Sequence, residues 1–97
     1  MPRLLPVHPG EILRETLEGF GLSMNRLSQE IRVPASRVGA IIAGHRSITG
    51  ETALRLGRYF GTTPAYWMNM QARYDLEMAR DQWETRIESD VRPRNVA

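Results

Sequence analysis

Residues 21–46, GLSMNRLSQEIRVPASRVGAIIAGHR, decide the fold. Ser23 is an N-cap residue, its oxygen accepting from a first-turn N–H. Behind it Met24, Leu27 and Ile31 share an inward side at about 100° per residue, and Asn25 and Gln29 point away. The next helix is predicted over about 34–43, with Val38, Ile41 and Ile42 as its inner stripe and Gly44 as its stop. Only Arg32-Val33-Pro34 separates the two. Helices joined so tightly cannot lie antiparallel, so they cross steeply. Leu27, Ile31, Val33, Val38 and Ile41 have the spacing to lock that crossing, and the small Ser28 sits where the second helix comes close.

Outward from this pair the punctuation continues. A helix opens at His8-Pro9-Gly10-Glu11, with proline at a position where its missing N–H costs nothing. Leu13, Thr16, Leu17 and Phe20 give it one apolar face, and Gly19 and Gly21 end it. After the central pair, Thr49 caps a fourth helix with Ala53, Leu54, Leu56 and Phe60 apolar and Gly61 as its end. Thr63-Pro64 opens a fifth that runs to about Arg86. No stretch alternates as a strand would. The expectation is an all-α chain of five helices. Residues 1–7 form an N-terminal arm and 8–61 a four-helix core. Residues 62–88 form an extended C-terminal helix, and 89–97, with Pro93, a loose tail.

The chain has 97 residues, 41% apolar and 25% charged, which suits one soluble domain. All thirteen basic residues are arginine, and cysteine is absent, which excludes disulfides and thiolate metal sites. Two histidines do not make a zinc site without carboxylates. No run approaches a membrane span, and the opening Met1–Val7 is too short and proline-broken for a secretory signal, so residence in the cytoplasm is expected. No Gly-rich phosphate loop, HExxH or paired-carboxylate motif appears, so no catalysis, cofactor, membrane partner or small-molecule substrate is expected. The net charge of +2 is unevenly placed. Residues 1–60 carry eight Arg and five Glu, net +3, whereas residues 61–97 carry five Arg and six acids, net −1. Residues 22–48 hold Arg26, Arg32, Arg37 and Arg46 against Glu30 alone, which suits an anionic partner there.

The central stretch resembles the phage-repressor (Cro/C1, XRE) class of helix-turn-helix. Three segments narrow the likeness: HPGEILRETLEGFGLS at 8–23, ITGETALRL at 48–56, and GTTPAYWMNMQARYDL at 61–76. Together, over roughly residues 8–80, they resemble the HigA/VapI antitoxins. Two positions depart from the pattern: Ser28 replaces the usual Ala, and Arg32 replaces the Gly of the turn, where φ > 0 costs a side chain about 1 kcal/mol. The resemblance implies a Cro/C1-repressor-like domain whose helix 34–43 enters the major groove. Ala35, Ser36, Arg37, Gly39 and Ala40 are then the candidate base readers. Arg37 is the one long donor, and the small residues allow close approach. Ser23, Asn25, Arg26, Pro34, His45, Arg46 and Ser47 are candidate phosphate contacts.

A single such module binds weakly, so a dimerising surface is expected. The fifth helix carries two apolar stripes. Tyr66, Trp67, Met70, Tyr74 and Met78 would close the core. Met68, Ala72, Leu76, Ala79, Trp83 and Ile87, nearly opposite, are left for another chain or for Leu4-Leu5-Pro6-Val7 of the same chain. That other chain is a second copy, a toxin, or both. The toxin, a RelE-like HigB protein, is implied by the resemblance alone. The expected function is an antitoxin that neutralises HigB and, as a dimer, binds operator DNA to repress its own promoter. The alternatives are a stand-alone repressor and an interaction module that has lost DNA binding.

Overall fold

Five α-helices follow one another in the computed structural model, which describes residues 5–94: α1 (Pro9–Phe20), α2 (Met24–Ile31), α3 (Ala35–Ile42), α4 (Gly50–Phe60) and α5 (Pro64–Asp90). No strand occurs among the described residues, and no helix is long and apolar enough to cross a membrane. Four of the five starts are set by a side chain. His8 Nδ1 accepts from the Gly10 N–H at 2.9 Å, Ser23 Oγ from Arg26 at 3.0 Å, Thr49 Oγ1 from Thr52 at 3.4 Å and Thr63 Oγ1 from Tyr66 at 3.1 Å. Each satisfies a backbone donor that the helix itself leaves without a partner. Burial holds His8 neutral by lowering its pKa from 6.5, against the opposing charges of Asp75 and Glu11, so Nδ1 keeps its lone pair for this cap.

The turn between α2 and α3 takes the left-handed conformation that the family's glycine would adopt. Arg32 has φ 61° and ψ 47° and is the one non-glycine residue with positive φ among those described. The turn is therefore not remodelled to suit the arginine; the backbone carries strain of about 1 kcal/mol there. Val33 N–H closes the turn onto the Ser28 carbonyl at 3.0 Å. Ser28 itself is buried and donates its Oγ–H to the Asn25 carbonyl at 2.7 Å, so the extra hydroxyl relative to alanine has a partner.

The core gathers one face of each helix: Leu13 and Leu17 of α1, Leu27 and Ile31 of α2, Val38 and Ile41 of α3, Ala53 and Leu56 of α4, and Trp67 of α5, with Ile48 from the α3–α4 loop. Gly10 lets α1 approach α3 at backbone distance, since a Cβ there would run into the Ile41 carbonyl. The buried polar side chains of α5 are matched. Trp67 Nε1–H donates to Thr62 Oγ1 at 2.9 Å. Gln71, buried on α5, accepts from the Ile48 N–H through Oε1 at 2.8 Å and donates through Nε2 to Asp75 at 2.9 Å. One amide thus pins the loop after α3 to the long helix.

Several apolar residues assigned inward lie outside. Met24 is the first residue of α2, and burial begins a turn later at Leu27 and Ser28. Phe20, the last residue of α1, is exposed and stacks on Phe60 with ring centroids 5.6 Å apart. Leu54, which the sequence marks only as apolar, lies about 130° around α4 from the centre of its buried face of Thr52, Ala53, Leu56 and Gly57, and is exposed. Of the first stripe of α5, Trp67 is buried and Met70 and Tyr74 are half-buried, whereas Tyr66 and Met78 are exposed. The reason for Met78 is length. From Met78 to Asp90 every residue of α5 is exposed, because the helix has run past the rest of the domain. The molecule is accordingly elongated, 55 × 31 × 22 Å.

α5 also ends later than the sequence suggests. Ser89 and Asp90, assigned to a loose tail, are helical: Ser89 Oγ donates to the Thr85 carbonyl and Arg86 pairs with Asp90. No helix breaker stands before Pro93, and a run of i,i+4 pairs (Arg73–Glu77, Arg80–Glu84, Arg86–Asp90) supports the exposed helix by a few tenths of a kcal/mol each. The expectations for residues 1–4 and 95–97, including Leu4, lie outside the described residues.

Candidate nucleic-acid interface

The exposed surface of the α2–α3 pair is built from small and polar groups. Ala35 and Ser36 open α3 and are exposed; Gly39 and Ala40, one turn on, are half-buried. A helix carrying so little side chain can bring its backbone close to a groove floor. Pro34 is the N-cap of α3 and offers no side-chain acceptor, so the helix keeps first-turn N–H groups available to an anion. At the start of α2, Ser23 and Asn25 are exposed. Ser23 Oγ already accepts from Arg26, which leaves its O–H to donate. Arg26 is paired with Glu30 at 2.9 Å, and its side chain remains 62% exposed.

Backbone bonds fix the two classes of candidate to one frame. Arg37 N–H donates to the Pro34 carbonyl at 3.0 Å, and His45 N–H to the Ala40 carbonyl at 2.9 Å. His45, Arg46 and Ser47 then leave α3 exposed, after Gly44 with φ 81° has turned the chain. Among the described residues no hydrogen bond joins the start of α2 to the α3 candidates. The end of α2 is linked to α3 through Glu51 and Arg55, side chains that the sequence reading did not single out.

That link begins at Arg37, which does not stand free. Its side chain is only 20% exposed, and Nη1 donates to Glu51 Oε1 at 3.2 Å. Its Nε is buried without a hydrogen-bond partner. The other Glu51 oxygen accepts from Arg55 Nε at 3.3 Å and Nη2 at 3.1 Å, and Arg55 Nη1 donates to the Ile31 carbonyl at 2.9 Å. A chain of charge-assisted bonds thus ties the strained turn at the end of α2, through α4, to the arginine of α3. The Arg55 hydrogen bonds first, then the Arg37 and Arg55 charges, hold the Glu51 carboxyl below its usual pKa. Glu51 also stands in the first turn of α4, where the helix dipole favours an anion. The Glu51–Arg55 spacing of four was available in the sequence; the reach from α3 to Glu51 was not.

The second stripe of α5 lies on the surface. Met68, Leu76, Trp83 and Ile87 are exposed large apolar residues, and Ala72 and Ala79 between them are exposed too. Arg86 lies over Trp83, 5.8 Å from the ring centroid. The N-terminal segment takes the other flank. Leu5, which is 86% exposed, and Val7 border a groove with Ile12, Met70, Arg73, Tyr74, Glu77 and Arg80.

The helix-turn-helix family pattern matches residues 13–67. Virulence-associated protein I of Dichelobacter nodosus is 51% identical over 74 residues, which is 75% of this chain and 68% of that protein. An addiction-module antidote protein of the HigA family from Coxiella burnetii has the same fold, with a TM-score of 0.91 at 47% identity, over 94% of this chain and 100% of that one. The Pseudomonas aeruginosa antitoxin HigA, solved with the higBA promoter, gives a TM-score of 0.88 at 42% identity, over 91% of this chain and 97% of that one.

Proposed function

This chain belongs to the helix-turn-helix family and within it to the HigA antitoxins, and from that premise we propose that it binds operator DNA over its own promoter as a dimer and holds a RelE-like HigB toxin inactive. The observation that supports this most directly is the solved relative on its promoter, whose fold this chain shares through α2 and α3. In this reading α3 lies in the major groove with Ala35, Ser36, Gly39 and Ala40 at the base edges, and Arg37 reaches a guanine or a phosphate. Ser23, Asn25, Arg26, Pro34, His45, Arg46 and Ser47 take phosphates on either side. The apolar stripe Met68, Ala72, Leu76, Ala79 and Trp83 receives a protein partner. No side chain is given a catalytic role, and the protein works in the cytoplasm, where its DNA is.

The test is co-purification with the product of the neighbouring gene, followed by a shift assay on the DNA upstream. A small basic protein should co-purify, and the upstream duplex should be retarded. Arg37→Ala should weaken operator binding by about 1–3 kcal/mol if Arg37 touches a base pair. Unchanged binding at low and moderate salt would remove α3 as the reader. The exposed α5 stripe also fits a second reading, in which it serves a second copy alone and the protein is a repressor without a toxin. An isolated gene and no co-purifying protein would favour that one.

A further inference from the structure

Glu51 is an exposed carboxylate beside the one long donor of a helix assigned to reading DNA, where a negative charge opposes binding. It is nonetheless built in. Three hydrogen bonds from two arginines converge on it, and the second arginine is itself anchored on the Ile31 carbonyl. The bond to Arg37 holds that guanidinium in a pose that buries Nε without a partner, at a cost in desolvation. With Nε enclosed, its edge of the fork is closed. Arg37 can offer a ligand only the terminal Nη1 and Nη2 hydrogens that Glu51 leaves unused.

We infer that Glu51 is a positioning residue for sequence discrimination: it holds Arg37 in one pose and cancels part of its charge, so that Arg37 serves a matching base and not any nearby phosphate. A free arginine on α3 would swing to whichever phosphate was closest and add affinity to every sequence alike. Held by Glu51, it has already lost its rotamer freedom and meets one position of the groove in one orientation. The carboxylate weakens binding everywhere and weakens it least where the site fits, which is how a repulsive element raises specificity. Arg55 keeps Glu51 in place and prevents its charge from repelling the backbone in full.

This rests on the proposal that α3 reads operator DNA, and the experiment separates the two. Binding is measured over a salt series to a duplex of the DNA upstream of the gene and to a shuffled duplex of equal length and composition. If the unmodified protein shows no preference, the DNA reading itself falls and this inference with it. Given a preference, Glu51→Gln should tighten binding to the shuffled duplex about three- to tenfold and steepen its salt slope by about one. The ratio between the two duplexes should fall roughly tenfold. In an Arg37→Gln background the same substitution should leave the ratio unchanged. Glu51→Asp keeps the charge but is shorter by a methylene, so it too should lower the ratio, with a thermal melt confirming that each variant is folded. A ratio indifferent to Glu51→Gln overturns the inference. So does an equal fall without Arg37, or a Glu51→Asp variant matching the parent, because then only net charge matters.

Discussion

The two exposed faces of this molecule are built on opposite rules. Around α3 the surface is alanine, glycine and serine, with its one long cation drawn back onto Glu51. Along α5 it is Met68, Leu76, Trp83 and Ile87, large apolar groups on a helix that outruns its own domain. Small residues leave room for a bulky ligand to approach the backbone, and large apolar ones ask for another protein to cover them. Exposure alone is therefore uninformative; side-chain size and the fate of the nearest charge are what set the two faces apart.

The division can be broken at its joint. Trp67 is buried between the core and the start of α5, so Trp67→Ala should cost about 3–5 kcal/mol in a urea titration and loosen both faces together. Separate losses, with one face intact, would mean the halves fold independently. Next in size, Leu76→Glu with Trp83→Glu should halve the mass seen by light scattering while the thermal transition of the core persists. Operator affinity should then fall by roughly a hundredfold or more, since one module binds without its twin. An unchanged mass would show that α5 is not the self-association face.

Smaller effects sharpen the contrast on the α2–α3 side. Arg32→Gly relieves the left-handed backbone and should raise stability by up to about 1 kcal/mol, a few degrees in Tm, with operator affinity unaltered. A loss of affinity instead would make Arg32 a ligand contact. The smallest effect belongs to His8. Its pKa is lowered in the fold, so the unfolded chain takes up a proton first. Stability is then complete above 6.5 and is lost as pH falls through the folded-state value. His8→Asn keeps a capping acceptor and should flatten that dependence below pH 6.5 in thermal melts.

Periodicity and punctuation carried the helices because both act locally. Ser23, Thr49 and Thr63 cap as their neighbours dictate, and Gly21, Gly44 and Gly61 turn the chain where a left-handed residue is needed. Local rules fail where geometry is global. The projecting half of α5 depends on where other helices stop, and Gln71 turning inward to the Ile48 amide has no sequence signature. Around α3 the small residue types are plain in the sequence, but the tie between Arg37 and Glu51 spans two helices and shows only once they are packed.

The uncovered half of α5 carries a thermodynamic consequence. The thirteen residues from Met78 to Asp90 are all exposed, and a helix of about that length is marginal in water by itself. Their order then becomes a function of how much partner is present, so dilution is itself a structural variable. Far-ultraviolet ellipticity should decline on dilution as assemblies part, at temperatures where the core has yet to melt.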